Sequence, residues 1–133
     1  INPIIGAAIR TELEKPTGEI TKVDLEKVTI LNLNSVELTE VPEGLEKLTQ
    51  LQILTLTGTF TGGKLKGAEL LEKLTHLGWL YLTNNNLTEV KSLKNLTQLK
   101  ILNLINNPEL TKAQIDELQK ALPDCTIYSN PTK

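Results

Sequence analysis

The residues best suited to nucleophilic chemistry are few in this chain. Its 133 residues include one histidine, His76, and one cysteine, Cys125. A nucleophile and its base must lie within hydrogen-bond reach, about 2.6–3.2 Å. If both residues keep the register of neighbouring strands, they lie roughly 10 Å apart. The sequence therefore predicts no Cys–His dyad and no catalytic residues, and Cys125 is interpreted as a small core residue.

Metal and phosphate sites are equally poorly supported. One histidine and one cysteine cannot supply the clustered ligands of a metal site. The glutamates at positions 37, 40, 43 and 46 are followed by Lys47, which favours a solvated surface over a calcium site. Gly62-Gly63 beside Lys64 and Lys66 lacks the spacing of a phosphate-binding loop and is better interpreted as a flexible turn. We therefore expect no metal and no cofactor.

Composition narrows the classes of partner. The 14 basic and 16 acidic residues are interspersed and give a net charge of −2, so no basic surface for nucleic acid is expected. No apolar run approaches the ~20 residues that cross a bilayer. The chain begins at Ile1 and contains no methionine, which suggests a processed form or a piece of a larger protein. The compartment is not fixed, although the cell envelope or secretion is favoured over the cytoplasm.

One stretch, residues 77–87, organises the rest of the chain. Leucine occupies its first, fourth, sixth and eleventh positions, and Asn85 occupies the ninth. This spacing is typical of a leucine-rich repeat, in which a short strand is followed by a turn held by asparagine. Leu80 and Leu82 then point into the core, while Trp79 and Tyr81 point the other way.

The same spacing predicts four repeats between two caps. The repeats span residues 28–50, 51–76, 77–98 and 99–124 of a single domain covering residues 1–133. Residues 1–27 form a predicted helical cap, with N-caps at Asn2 and Thr21. A helix beginning after Thr111 closes the fourth repeat, and residues 125–133 form a terminal strand and tail. The pattern leaves open whether Ile127 or Tyr128 faces inward.

The ninth position of each repeat predicts how its turn is held. An asparagine there satisfies backbone groups that neither helix nor sheet can satisfy. Asn85 and Asn107 fill this structural role in the third and fourth repeats. Thr59 does so only partly, and Val36 cannot. We therefore expect a looser or water-assisted turn near Val36.

The two ends of the chain resemble those of a known family. Residues 8–13, 16–21 and 24–25 are similar to the N-terminal flank, and residues 117–127 to the C-terminal closure, of bacterial leucine-rich repeat domains of the internalin-like and planctomycete–verrucomicrobial kind. The resemblance implies an α/β right-handed solenoid with a parallel sheet on its concave side. It also implies protein–protein binding as the general role, without naming a partner.

The outward residues of the predicted strands form columns on the concave side. The third repeat position holds Ile30, Ile53, Trp79 and Ile101; the fifth holds Asn32, Thr55, Tyr81 and Asn103; the seventh holds Asn34, Thr57, Thr83 and Ile105. Exposed apolar columns usually mark contact sites, and Trp and Tyr are enriched at interface centres. The predicted partner-binding residues are Trp79, Tyr81, Ile53, Ile101, Ile30, Ile105 and Asn103.

Two other interpretations of these columns stay open. β-Branched and aromatic residues also stabilise a sheet by packing side by side. The function predicted from the sequence is non-catalytic recognition of a protein partner by a monomer. The alternative is a structural spacer or self-association domain of a larger bacterial protein, which dimerises through the same columns.

Overall fold

The parallel sheet is built from five very short strands. The computed structural model describes residues 2–34, 37–58 and 66–133. Its strands are β1 Ile30–Asn32, β2 Ile53–Thr55, β3 Trp79–Tyr81, β4 Ile101–Asn103 and β5 Thr126–Tyr128. They pair in parallel in the order β1-β2-β3-β4-β5. Each strand thus pairs with its neighbours in sequence, which confirms the predicted α/β solenoid.

The convex side carries helical turns in place of strands. Three 3₁₀ segments, Leu45–Lys47, Ala68–Lys73 and Lys91–Asn95, return the chain to the start of the next strand. Each ends where a leucine N–H donates to the carbonyl of the residue three positions before it, at 2.9–3.0 Å. A helix of ten residues, Lys112–Ala121, takes this place in the fourth repeat. It begins with the predicted capping box between Thr111 and Gln114.

The middle residue of each strand is aliphatic and points into the core. Leu31, Leu54, Leu80 and Leu102 are in register and have no accessible surface. Ile127 continues this row beside Leu102. The register of the terminal strand is therefore the one in which Ile127 faces inward and Tyr128 faces solvent.

The N-terminal cap covers the first strand with a helix. The side-chain oxygen of Asn2 accepts from the N–H of Ile4 at 2.8 Å, as expected of an N-cap before Pro3. Ile5 and Ile9 of the helix Pro3–Leu13 are fully buried in the core, and this helix packs on β1. An otherwise open sheet edge is thereby covered. None of the described helices is long and apolar enough to cross a membrane.

A charged group locks the second part of this cap. Asp24 of the short helix Lys22–Glu26 accepts from the N–H of Thr21 at 2.8 Å and from Lys15 Nζ at 2.7 Å. The hydrogen bond from Lys15 is the largest cause that lowers the pKa of Asp24 from 3.8 to about 2, and the Thr21 N–H adds to it. The carboxylate joins the loop after the first helix to the start of the second.

Buried asparagines hold the turns of the last two complete repeats. The NH₂ group of Asn85 donates to the carbonyls of Leu56 and Leu82 at 2.9 and 3.0 Å. The NH₂ group of Asn107 donates to Leu82 and Leu104 at 2.9 and 3.0 Å. Each asparagine therefore links its own turn to the preceding repeat, and both side chains are buried.

A second row of asparagines lies on the surface beside the first. Asn106 donates from its side chain to Asn84 at 2.8 Å, and Asn130 donates to Asn106 at 3.0 Å. Asn84 and Asn106 have φ values of 56° and 63°, a conformation that asparagine tolerates better than most residues. Gly58 has the same conformation, with φ 64°. This surface row was not predicted, although the sequence has an asparagine directly before each buried turn asparagine, at residues 84–85 and 106–107.

Lys66 and Gly67 connect the second repeat to the first. The carbonyl of Lys66 accepts from the N–H of Val41 at 2.8 Å, and Gly67 follows with φ 77°. A Cβ on Gly67 would lie 3.2 Å from the Val41 carbonyl, so a side chain there is both strained and crowded. The predicted turns at Val36, Thr59 and Gly62-Gly63 lie outside the described residues.

Replacing Asn85 with alanine should destabilise the fold by about 2 kcal/mol, because a buried carbonyl of the preceding turn loses its donor. Urea denaturation of both proteins measures the loss. Asn86→Ala, at the exposed neighbouring position, is the control and should change stability by less than about 0.5 kcal/mol. Equal stability of the two variants would contradict the structural role of Asn85.

Replacing Asp24 with asparagine should flatten the acid dependence of stability. Because the folded pKa of Asp24 lies below its ordinary 3.8, its charge stabilises the fold above pH 3.8, and this contribution is lost as pH falls toward about 2. Thermal unfolding of the wild type should therefore lose more Tm between those pH values than that of Asp24→Asn. Asp116→Asn, which removes an exposed carboxylate, should keep the wild-type profile. Parallel profiles of wild type and Asp24→Asn would refute the prediction.

Candidate functional site

The concave face is formed by the outward residues of the five strands and those that follow them. Its first column is Ile30, Ile53, Trp79, Ile101 and Thr126, and its second is Asn32, Thr55, Tyr81, Asn103 and Tyr128, all in direct register. The third comprises Asn34, Thr57, Thr83 and Ile105, each two residues beyond the second. Adjacent strands lie ~4.8 Å apart, so each column is continuous.

The face is only partly open to solvent. Trp79 and Tyr81 are half-buried, as are Ile53, Ile101, Asn103 and Ile105, while Ile30 is 41% exposed. Neighbours in the sheet therefore cover part of each ring and leave part accessible. The leucine between the two aromatic residues, Leu80, is fully buried. The structure thus places all seven predicted binding residues on one side of the sheet.

Tyr128 joins the face at its C-terminal end. It is in register with Asn103 and is 47% exposed, more than any other tyrosine or tryptophan. Tyr81, Asn103 and Tyr128 lie on consecutive strands, across about 10 Å. Tyr128 is not among the binding residues predicted from the sequence, because the sequence pattern leaves the register of its strand open. Matching aliphatic Ile127 to Leu102 would have revealed it.

A lysine lies over the tryptophan ring. Lys100 Nζ is 5.2 Å from the centroid of Trp79, within the range of a cation–π contact. Lys100 precedes β4 and is exposed, so its ammonium group approaches the ring from the edge of the face. The contact places positive charge beside the ring.

Asparagine side chains form turns at the ends of two strands and leave a hydrogen-bond donor on the face. Asn103 accepts from the N–H of Ile105 at 3.1 Å, and Asn32 accepts from the N–H of Asn34 at 2.8 Å. Both use the side-chain oxygen and form turns of the Asx type. The NH₂ group of Asn103 makes no hydrogen bond within the described residues, so it can donate to a bound molecule.

Hydrogen bonds connect neighbouring side chains of the third column. The Oγ1 atoms of Thr57 and Thr83 are 2.9 Å apart, and Asn34 accepts from the N–H of Thr57 at 2.7 Å. In the second column, Thr55 Oγ1 is buried and has no hydrogen-bond partner among the described residues. The face therefore combines fixed hydroxyl groups with apolar and aromatic surface.

The two residues considered for nucleophilic chemistry lie in unlike surroundings. Cys125 is a buried member of the hydrophobic core, and burial raises the pKa of its thiol. His76 is exposed, with Nδ1 3.1 Å from the carbonyl oxygen of Thr49. Within the described ranges, no group of three or more His, Cys, Asp or Glu residues could hold a metal ion.

Quenching of the single tryptophan tests the position of Lys100. Iodide should quench Trp79 fluorescence more strongly in the wild type than in Lys100→Gln, by about twofold at low salt, because the ammonium group attracts the anion. Neutral acrylamide should quench both proteins almost equally. The replacement of Lys94, an exposed lysine of the convex side, by glutamine is the control. If the Stern–Volmer constant for iodide quenching of Trp79 is the same in Lys100→Gln as in the wild type, the contact between Lys100 and Trp79 is contradicted.

Solved structures with the same fold come from bacterial leucine-rich repeat proteins. Internalin C2 of Listeria monocytogenes superposes with a TM-score of 0.74 at 22% identity, covering 98% of this chain and 57% of its own. An internalin, inlF, of the same organism superposes with a TM-score of 0.65 at 24% identity, covering 98% of this chain and 43% of its own. A leucine-rich repeat protein of Leptospira interrogans superposes with a TM-score of 0.64 at 26% identity, covering 84% of this chain and 28% of its own.

These matches extend over only part of each neighbour, so the chain spans at most 57% of their lengths. No protein-family model and no curated protein sequence matches the chain. The similarity accordingly lies in the fold. Together with the buried leucine row, it shows that the chain has the leucine-rich repeat fold of these bacterial proteins.

Proposed function

We propose that this domain is a non-catalytic, monomeric recognition module that binds a protein partner through its concave face. The observation that carries the proposal is the position of Trp79 and Tyr81. Both point outward from β3: Trp79 lies between Ile53 and Ile101 in the first column, and Tyr81 lies between Thr55 and Asn103 in the second. Solenoids of stacked repeats commonly use such concave surfaces for binding.

The C-terminal half of the face is the proposed centre of binding. It holds Trp79, Tyr81 and Tyr128 around Ile101 and Asn103. Partner atoms that cover the accessible parts of the three rings would bury apolar surface, while the NH₂ group of Asn103 offers a directional donor. Tyr128 is therefore added to the seven residues predicted from the sequence. Ile30, Ile53 and Ile105 extend the apolar surface around this centre.

The rigidity of the sheet supports binding by these side chains. Trp79 and Tyr81 lie on a strand whose middle residue, Leu80, is fully buried in the core, so little backbone freedom is lost on association. Packing within the sheet covers part of each ring and also stabilises the fold. Both roles are compatible, because the half-buried rings keep accessible surface for a partner.

The partner can be sought by affinity capture from proteins of the source bacterium and its surroundings. A captured protein counts only if the wild type and Val23→Ala retain it and Trp79→Ala/Tyr81→Ala does not. Val23 is 58% exposed and lies in the short cap helix Lys22–Glu26, so it controls for loss of any exposed apolar side chain. Circular dichroism must show that all three proteins are folded.

For a protein captured in this way, Trp79→Ala should weaken binding by about 2 kcal/mol, because an aromatic anchor at an interface centre contributes about that much. Isothermal titration calorimetry gives the dissociation constants of wild type and variant. The expected loss is about 30-fold. Equal affinity of the two proteins would remove Trp79 from the binding site.

Light scattering over a range of concentrations distinguishes recognition from self-association. We expect a monomer whose Trp79 emission does not change with concentration. A dimer that forms with a blue shift of the Trp79 emission would contradict the proposal. It would favour a structural or assembly role in which a second copy covers the same face.

A further inference from the structure

The concave face carries no charged residue. All of its outward positions, in the three columns defined above, hold isoleucine, tryptophan, tyrosine, asparagine or threonine. The chain as a whole contains 14 basic and 16 acidic residues. The charged residues of the described ranges therefore lie outside these three columns.

Two charged side chains reach the margin of the face. Lys100 extends over Trp79 from the start of β4, with Nζ 5.2 Å from the ring centroid. At the opposite end, Glu12 of the first helix lies with Asn32 in a groove that is otherwise mostly apolar. These two groups are far apart along the stack, since Asn32 is on β1 and Lys100 precedes β4. Neither provides a charged patch for a charged partner.

The face is long and narrow. Five strands at ~4.8 Å spacing give a length of about 20 Å, and the three columns, which lie two residues apart along each strand, give a width of about 13 Å. An extended peptide advances about 3.3 Å per residue, so about six residues cover this length. A single segment of chain fits these dimensions better than a broad folded surface does.

We infer that the concave face receives an extended, uncharged peptide segment, with apolar side chains along the column that contains Trp79 and Ile101. The inference rests on the proposed function and specifies the partner's chemistry. A charged side chain buried against the three columns, away from Lys100 at one margin and Glu12 at the other, would lose water without gaining a counter-charge, which is unfavourable. A backbone carbonyl of the segment can accept from the NH₂ group of Asn103.

A displayed library of random 12-residue peptides provides the probe. The library is selected on the wild-type domain and depleted on Trp79→Ala/Tyr81→Ala, so that peptides binding elsewhere are removed. Enriched peptides should share apolar or aromatic residues and have no consensus charge. They are then synthesised, and their dissociation constants for wild type, Val23→Ala and Lys100→Gln are measured by fluorescence anisotropy.

The affinity of these peptides should change less than about twofold between 50 and 500 mM NaCl, because no ion pairs form to be screened. Val23→Ala should also bind within about twofold of the wild type. An aspartate or lysine placed at the centre of a peptide should weaken its binding at least about tenfold. The same substitution at a peptide end should have little effect.

Several results would overturn the inference. A shared acidic residue, with affinity lost in Lys100→Gln and at high salt, would make Lys100 the anchor of a charged ligand. A shared basic residue would implicate Glu12 in the same way. The absence of any peptide that depends on Trp79 would reject a linear segment as the occupant. The capture experiment with Trp79→Ala/Tyr81→Ala is independent of these results, so protein recognition could hold while the inference fails.

Discussion

The structure depends on one constraint, which is that each strand has a single residue available for the core. The strands are three residues long, and the middle leucine is fully buried in each of the first four. A shift of one residue in any strand would expose that leucine and bury its two neighbours. The burial of Leu31, Leu54, Leu80 and Leu102 therefore fixes which residues face outward. The proposed binding face is a direct consequence of how the core is packed.

The asparagines complement this constraint at the ends of the strands. Leaving a strand exposes backbone carbonyls that the sheet no longer pairs, and Asn85 and Asn107 reach back to satisfy them in the preceding repeat. The surface pair Asn84 and Asn106 links the same turns from outside. Because each bond joins adjacent repeats, the strand ends are held in register. The outward aromatic residues on β3 accordingly stand on a rigid base.

Most of the fold could be predicted because leucine spacing reports burial directly. The parallel order of the strands and the capping boxes at Thr21 and Thr111 follow from local patterns, and the structure contains them. The place of Tyr128 was not predicted, since four residues separate the last helix from β5, whereas five separate each 3₁₀ segment from the strand after it. The approach of Lys100 to Trp79 also required coordinates, because a long flexible side chain has many rotamers.

Each outward aromatic side chain has one part packed in the sheet, which stabilises the fold, and one part exposed to solvent, which is available to the proposed partner. Trp79 contacts its neighbours in the sheet and Lys100, yet keeps accessible surface. A fully buried ring could not bind a partner, and a fully exposed one would lose more side-chain freedom on binding. A half-buried ring is already partly ordered, so more of the apolar surface that it buries contributes to affinity. The same argument applies to Tyr81, whose strand is held by Leu80. It applies less to Tyr128, whose strand pairs with β4 on only one side, so Tyr128 should contribute less to affinity than Tyr81 for equal buried area.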